Sequence, residues 1–124
     1  MATVFNTEFS SYIAAADLTG KQYYFVKLDS NDKLVLTDAI TDEAFGVLQN
    51  EPKLGQEGLV KTYGNTKVVA GAAIVAGANV ATTATGKAQT AVSTQFSRGK
   101  VITAAAADED IATINLFHDA IALA

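Results

Sequence analysis

The sequence reads as one all-β domain, a small barrel or sandwich, preceded by an N-terminal arm. Three observations lead there. Short runs rich in Val, Ile, Tyr, Phe and Thr recur along the chain, separated by turns containing Gly, Asn and Asp. The single stretch with helical spacing lies before residue 18. At 124 residues, 49% of them hydrophobic, the chain suffices for one core and is too short for a multidomain enzyme.

Residues 1–17 are expected to form the arm or a short helix. Phe5, Phe9, Tyr12, Ile13 and Ala16 recur at helical offsets, with Asn6 or Thr7 placed to cap them. Three aromatics in so short a segment are an exposed liability unless they dock on something. Phe5, Phe9, Tyr12 and Ile13 are therefore the candidate partner-binding residues, since interface hot spots favour aromatic side chains.

The β-domain is expected over residues 18–118. Residues 22–28 and 33–37 flank Asp29-Ser30-Asn31-Asp32, whose side chains can cap their own turn, and together they predict a hairpin. Residues 45–49 form the next strand, closed by Pro52 and Gly55. Residues 58–63 alternate Leu59, Lys61 and Tyr63 against Val60 and Thr62. Gly64-Asn65-Thr66 then predicts a second hairpin into residues 67–72. Between Ala70 and Ala91 the alanines favour helix in isolation. Gly71, Gly77 and Gly86 break any helical stripe, and the Val/Thr content of residues 79–84 points to short strands behind small side chains. Residues 100–106 and 111–117 flank Ala107-Asp108-Glu109-Asp110, with Ile114 and Leu116 directed inward. That makes about eight strands at barrel or sandwich spacing. Residues 119–124 form a short apolar C-terminal tail, suited to strand addition on a neighbour or equally to fraying as a free end.

Charge and chemistry exclude several classes. Nine Lys and Arg against thirteen Asp and Glu give a net charge of -4, the wrong sign for nucleic acid or an anionic membrane. The apolar run 68–81 is too short to cross a bilayer and is interrupted by Gly71, Gly77 and Asn79. Without cysteine there is no disulfide framework, thiolate nucleophile or Cys-type zinc site. His118 is the single histidine, with no metal-ligand spacing around it, and Ser10, Ser11, Ser30, Ser93 and Ser97 have no histidine partner nearby in sequence. Asp42-Glu43 and Asp108-Glu109-Asp110 fall in expected turns, and the glycines match no phosphate-binding loop. No catalytic, metal or cofactor site is expected.

Asp17-Leu18-Thr19-Gly20-Lys21-Gln22-Tyr23 leads into Phe25-Val26-Lys27-Leu28. Gly46-Val47-Leu48-Gln49-Asn50 follows with Pro52 and Gly55, and Val60 precedes Tyr63-Gly64. Lys67-Val68-Val69-Ala70-Gly71-Ala72-Ala73-Ile74 comes last, with Gly77 and Gly86 beyond it. In this order the residues resemble the capsid cement, or head decoration, proteins of tailed bacteriophages, of the small β-tulip type. The resemblance covers roughly residues 17–90, and G-V-L-Q-N-x-P-x-x-G is its most specific element. It implies a β-rich homotrimer made in the host cytoplasm and bound to the outer surface of the virion capsid. There it would bridge the major capsid protein lattice and stabilise the shell against internal DNA pressure, with no enzymatic activity and no cofactor. A phage tail or fibre accessory protein with a glycan-binding surface on exposed tyrosines is the second reading. A small enzyme using Asp108, Glu109 or Asp110 is the third.

Overall fold

A computed structural model describes residues 9–92 and 95–117. It is a small β-sandwich of two five-stranded antiparallel sheets, with no helix among the described residues. The first half supplies β1 (Phe9–Ile13), β2 (Phe25–Leu28), β3 (Leu34–Leu36), β4 (Gly46–Leu48) and β5 (Glu57–Lys61). The second half supplies β6 (Gly64–Val69), β7 (Asn79–Thr82), β8 (Ala88–Thr90), β9 (Gly99–Thr103) and β10 (Ile111–Leu116).

The strand orders are β1-β5-β4-β2-β3 and β6-β10-β9-β7-β8, so the two halves repeat one topology. The repetition extends to register. Val26 pairs with Leu36 as Val80 pairs with Thr90, and Leu48 pairs with Val60 as Val101 pairs with Ile114. Each sheet curls toward closure through the same parallel bridge, Ala14 to Leu34 in one half and Ala70 to Ala88 in the other. The β2–β3 and β7–β8 turns also match. The Asp29 carboxylate accepts from the amides of Asn31 and Lys33, and the Thr83 hydroxyl accepts from those of Thr85 and Lys87. Each turn carries one left-handed residue, Asp32 (φ 59°) and Gly86 (φ 82°).

Burial follows the same plan. Ala14, Leu18, Val26, Leu34, Leu48 and Val60 form one core cluster. Their counterparts Ala70, Ile74, Val80, Ala88, Val101 and Ile114 all lie in the other. The second cluster also takes in Phe25, Ala44 and Val47 from the first half, and this joins the sheets. Polar contacts follow the same junction: the Phe25 amide donates to the Gly86 carbonyl (2.7 Å), the Val69 amide donates to the Tyr23 carbonyl (2.9 Å), and the Thr37 and Thr82 hydroxyls bond each other.

The β2–β3 hairpin and the inward placement of Ile114 and Leu116 agree with the sequence reading. Three expectations change. Residues 9–13 are a strand, not a helix, because the Phe9–Ile13 backbone finds a full set of partners along β5, from Phe9 opposite Lys61 to Ile13 opposite Glu57. The chain makes no hairpin at Gly64: β5 pairs with β1 and β4 while β6 pairs with β10, so Thr62-Tyr63 carries the chain from one sheet to the other. There are ten strands among the described residues, because β1 and the short β8 are not separable from their surroundings by composition.

Candidate functional site

Period-two alternation sorts the side chains of the β1–β5 ribbon onto two faces. Tyr12 turns inward, where its ring meets Phe45 edge-on at 5.4 Å. Phe9, Ser11 and Ile13 turn outward beside their partners Lys61, Leu59 and Glu57. Phe9 is 44% exposed, and Ile13 and Leu59 are each 37% exposed. These three form an apolar patch on the outer face, with the Lys61 ammonium 5.0 Å from the Phe9 ring centroid. Of the residues singled out from sequence, Phe9 and Ile13 meet in this patch, Tyr12 supports it from the interior, and Phe5 lies outside the described residues.

Sequence reasoning missed Leu59. Its signal was present in the alternation of residues 58–63, which puts Leu59 and Lys61 on one face, but only the pairing with β1 shows what shares that face. Val75 (67% exposed) and Ile102 (48% exposed) make a second pair of outward apolar residues in the second half.

The counterpart in the second half is polar at two of the three patch positions, Asn65 and Thr113 standing for Phe9 and Leu59, while Val69 stands for Ile13 and its neighbour Ile111 is 46% exposed. Asn65, Lys67 and Thr113 occupy the positions of Phe9, Ser11 and Leu59. They line an open groove of about 300 Å³ together with Thr66 and, from the first half, Tyr23 and Gln49. The Gln49 side-chain amide donates to the Val47 carbonyl (3.0 Å) and to the Thr66 hydroxyl (2.9 Å), which pins it at the groove wall.

Three of the carboxylates considered for acid–base or cation chemistry, Asp42, Asp108 and Glu109, have structural partners. Asp42 accepts from the amides of Asp38 (2.9 Å) and Ala39 (3.1 Å) and pairs with Lys27 at 3.0 Å. Asp108 and Glu109 both pair with Lys87 and tie the β9–β10 turn to the start of β8. These two carboxylates raise the Lys87 ammonium above its ordinary pKa. No group of three or more potential metal ligands occurs among the described residues. His118, Ser93 and residues 119–124 lie outside them.

The chain's fold is similar to that of the N base of head fiber gp8.5 in bacteriophage phi29, with a TM-score of 0.64 at 17% sequence identity. That match covers 91% of this chain and 96% of the other. No curated protein sequence matches the chain. The family model of the phage cement proteins matches residues 11–116, from within β1 to the end of β10. The chain therefore belongs to the phage cement protein family and is on that ground a capsid-associated structural protein of a bacteriophage.

Proposed function

We propose that the protein binds the outer surface of the assembled head as a homotrimer and bridges major capsid protein subunits through the outer face of the β1–β5 ribbon. The observation that carries this reading is the Phe9–Ile13–Leu59 patch, exposed in the first half where the second half has Asn65 and Thr113 at two of the three counterpart positions. Phe9 and Ile13 make the contact with Leu59, Tyr12 braces the strand against Phe45, and Phe5 is a further candidate partner-binding residue. Val75 and Ile102 supply a separate apolar surface for contact between copies.

The mechanism is adhesion without catalysis. A trimer presents the patch three times, so weak contacts add through effective concentration. A ligand that binds the expanded shell and not its open form stabilises it by linkage, about 2.7 kcal/mol per site at a hundredfold excess over Kd. Repeated over the lattice, that resists the outward pressure of packaged DNA. The protein needs only host-cytoplasm synthesis and an assembled head to act.

Adding purified protein to emptied, expanded heads tests this. Saturable binding at fixed stoichiometry and a raised disruption temperature are expected, both weakened by the double substitution Phe9→Ser/Leu59→Ser. Absence of binding to any capsid lattice would contradict the proposal.

A further inference from the structure

The groove between the halves has a composition that the adhesive role does not use. Its lining holds one aromatic ring, two side-chain amides, two threonine hydroxyls and one ammonium group, with no carboxylate: Tyr23, Asn65, Gln49, Thr66, Thr113 and Lys67. Lys67 and Thr113 sit directly opposite each other in the β6–β10 register, and Asn65 lies on the same face two residues before Lys67. The Lys67 ammonium is 6.0 Å from the Tyr23 ring centroid.

A second observation concerns Tyr23 itself. It holds a left-handed backbone (φ 69°), a conformation that a bulky residue rarely adopts. Its counterpart in the second half is Gly77 (φ 86°): the Tyr23 amide donates to the Leu48 carbonyl as the Gly77 amide donates to that of Val101. The backbone geometry at this position suits glycine, and the first half nevertheless places an aromatic ring there, at the mouth of the groove. The ring packs only in part against the core. Asn65, Lys67 and Thr113 likewise differ in chemistry from their counterparts Phe9, Ser11 and Leu59.

We infer that this groove is a saccharide subsite selective for a sugar ring carrying a carboxylate. The apolar face of a pyranose packs on a tyrosine ring, and its hydroxyls exchange hydrogen bonds with the Asn65 amide, the Gln49 side-chain carbonyl oxygen and the Thr113 hydroxyl. The single ammonium, unopposed by any carboxylate in the lining, selects an anionic ring over a neutral one. A volume of about 300 Å³ stands at the lower end of ligand pockets and fits a short segment, not a long chain. The groove lies between the halves and shares no side chain with the Phe9–Ile13–Leu59 patch, so variants of its lining can be read separately from the proposed capsid contact.

Titration of the full chain with a galacturonate trisaccharide, followed by amide resonances in ¹H–¹⁵N spectra, tests the inference. The expected result is saturable shifts confined to Tyr23, Gln49, Asn65, Lys67 and Thr113, with a Kd of about 1 mM. Neutral maltotriose should bind about tenfold more weakly. Lys67→Gln, on an exposed strand position, should leave the fold intact and remove that preference. Tyr23→Ala should abolish binding of both sugars, and Asn65→Ala provides the same reading if Tyr23→Ala fails to fold. Absence of shifts at those residues, or equal binding of both sugars with no effect of Lys67→Gln, would overturn the inference. Capsid binding is expected to be unchanged in Lys67→Gln, so failure here and failure of the adhesive reading give different results.

Discussion

The two halves of the molecule share a backbone and differ in almost everything hung on it. The first half fills its own core with Leu18, Leu34 and Leu48 and turns Phe9, Ile13 and Leu59 outward. The second fills the equivalent positions with Ile74, Ala88 and Val101, draws in Phe25 and Val47 from its neighbour, and turns Asn65, Lys67 and Thr113 outward. What the pair teaches is that register here follows from turn hydrogen bonds and close backbone approaches, which both halves keep. Side-chain identity is left free to specialise each outer face.

The close approaches offer the largest test. A Cβ on Gly46 would stand 2.4 Å from the Lys61 carbonyl oxygen, and one on Gly99 would stand 2.8 Å from that of Asn115. Both contacts are with backbone of the adjacent strand, so neither relaxes by a rotamer change. Gly46→Ala and Gly99→Ala should each cost ~3–5 kcal/mol in denaturant unfolding, with Gly46→Ala the worse. Tolerance of either would break the proposed equivalence of the halves.

A core pair sharpens it. A Cβ on Gly58 would lie 2.5 Å from Leu34 Cδ1, and the second half solves the same volume problem with Ala112 beside β8's Ala88. Leu34→Ala should cost ~2–4 kcal/mol by opening a cavity. Adding Gly58→Ala recreates the second-half pair, and the double variant should recover ~1–2 kcal/mol relative to the sum of the singles. Additive costs would show that the two cores do not trade volume this way.

Acid sensitivity is expected at Asp42 and also at Asp17, whose carboxylate the Thr19 hydroxyl and amide hold below its ordinary pKa. Partial burial pushes the Asp42 carboxyl upward, but the Asp38 and Ala39 amides and the Lys27 ammonium outweigh this and hold it below the usual range. A depressed folded-state pKa gives a contribution present above the unfolded value, about 3.9, and lost as pH falls through the folded one. Stability should therefore decline in the acid range below about pH 4, and Asp42→Asn should flatten part of that decline. Lys27 is held above its ordinary value by Asp38 and Asp42, so its share is present below about pH 10.4 and is lost only as pH rises through the folded value. Thermal unfolding across pH measures both limbs.

The smallest effect is expected at the turns. Asp32→Gly should gain ~0.5 kcal/mol by easing a left-handed residue. Gly86→Ala should lose at least as much, since its Cβ would also meet the Phe25 carbonyl at 3.1 Å. Unfolding midpoints of the two variants give the comparison directly.

Much of this was legible in the chain. Asp29-Ser30-Asn31-Asp32 announced the first hairpin, and the alternation Ile114, Leu116 announced the inward face of β10. The repeat was not, because its halves keep hydrogen-bonding roles and not residue types: Asp29 and Thr83 cap the same turn, and Gly55 and Glu109 hold the same left-handed position. The paired glycines Gly46 and Gly99, and Lys33 and Lys87 closing matched turns, were its surviving signals. The patch was half legible. Helical spacing brought Phe9 and Ile13 together for a reason that did not apply, since both face outward on a strand, while Leu59 joins them through a pairing between segments far apart in sequence.

Site-directed photocrosslinking on decorated heads tests the central claim most directly. A benzoylphenylalanine at position 9 should crosslink to the major capsid protein, and one at the equivalent position 65 should not. Equal crosslinking from both positions, or crosslinking from position 65 alone, would contradict the assignment of the β1–β5 face as the capsid contact.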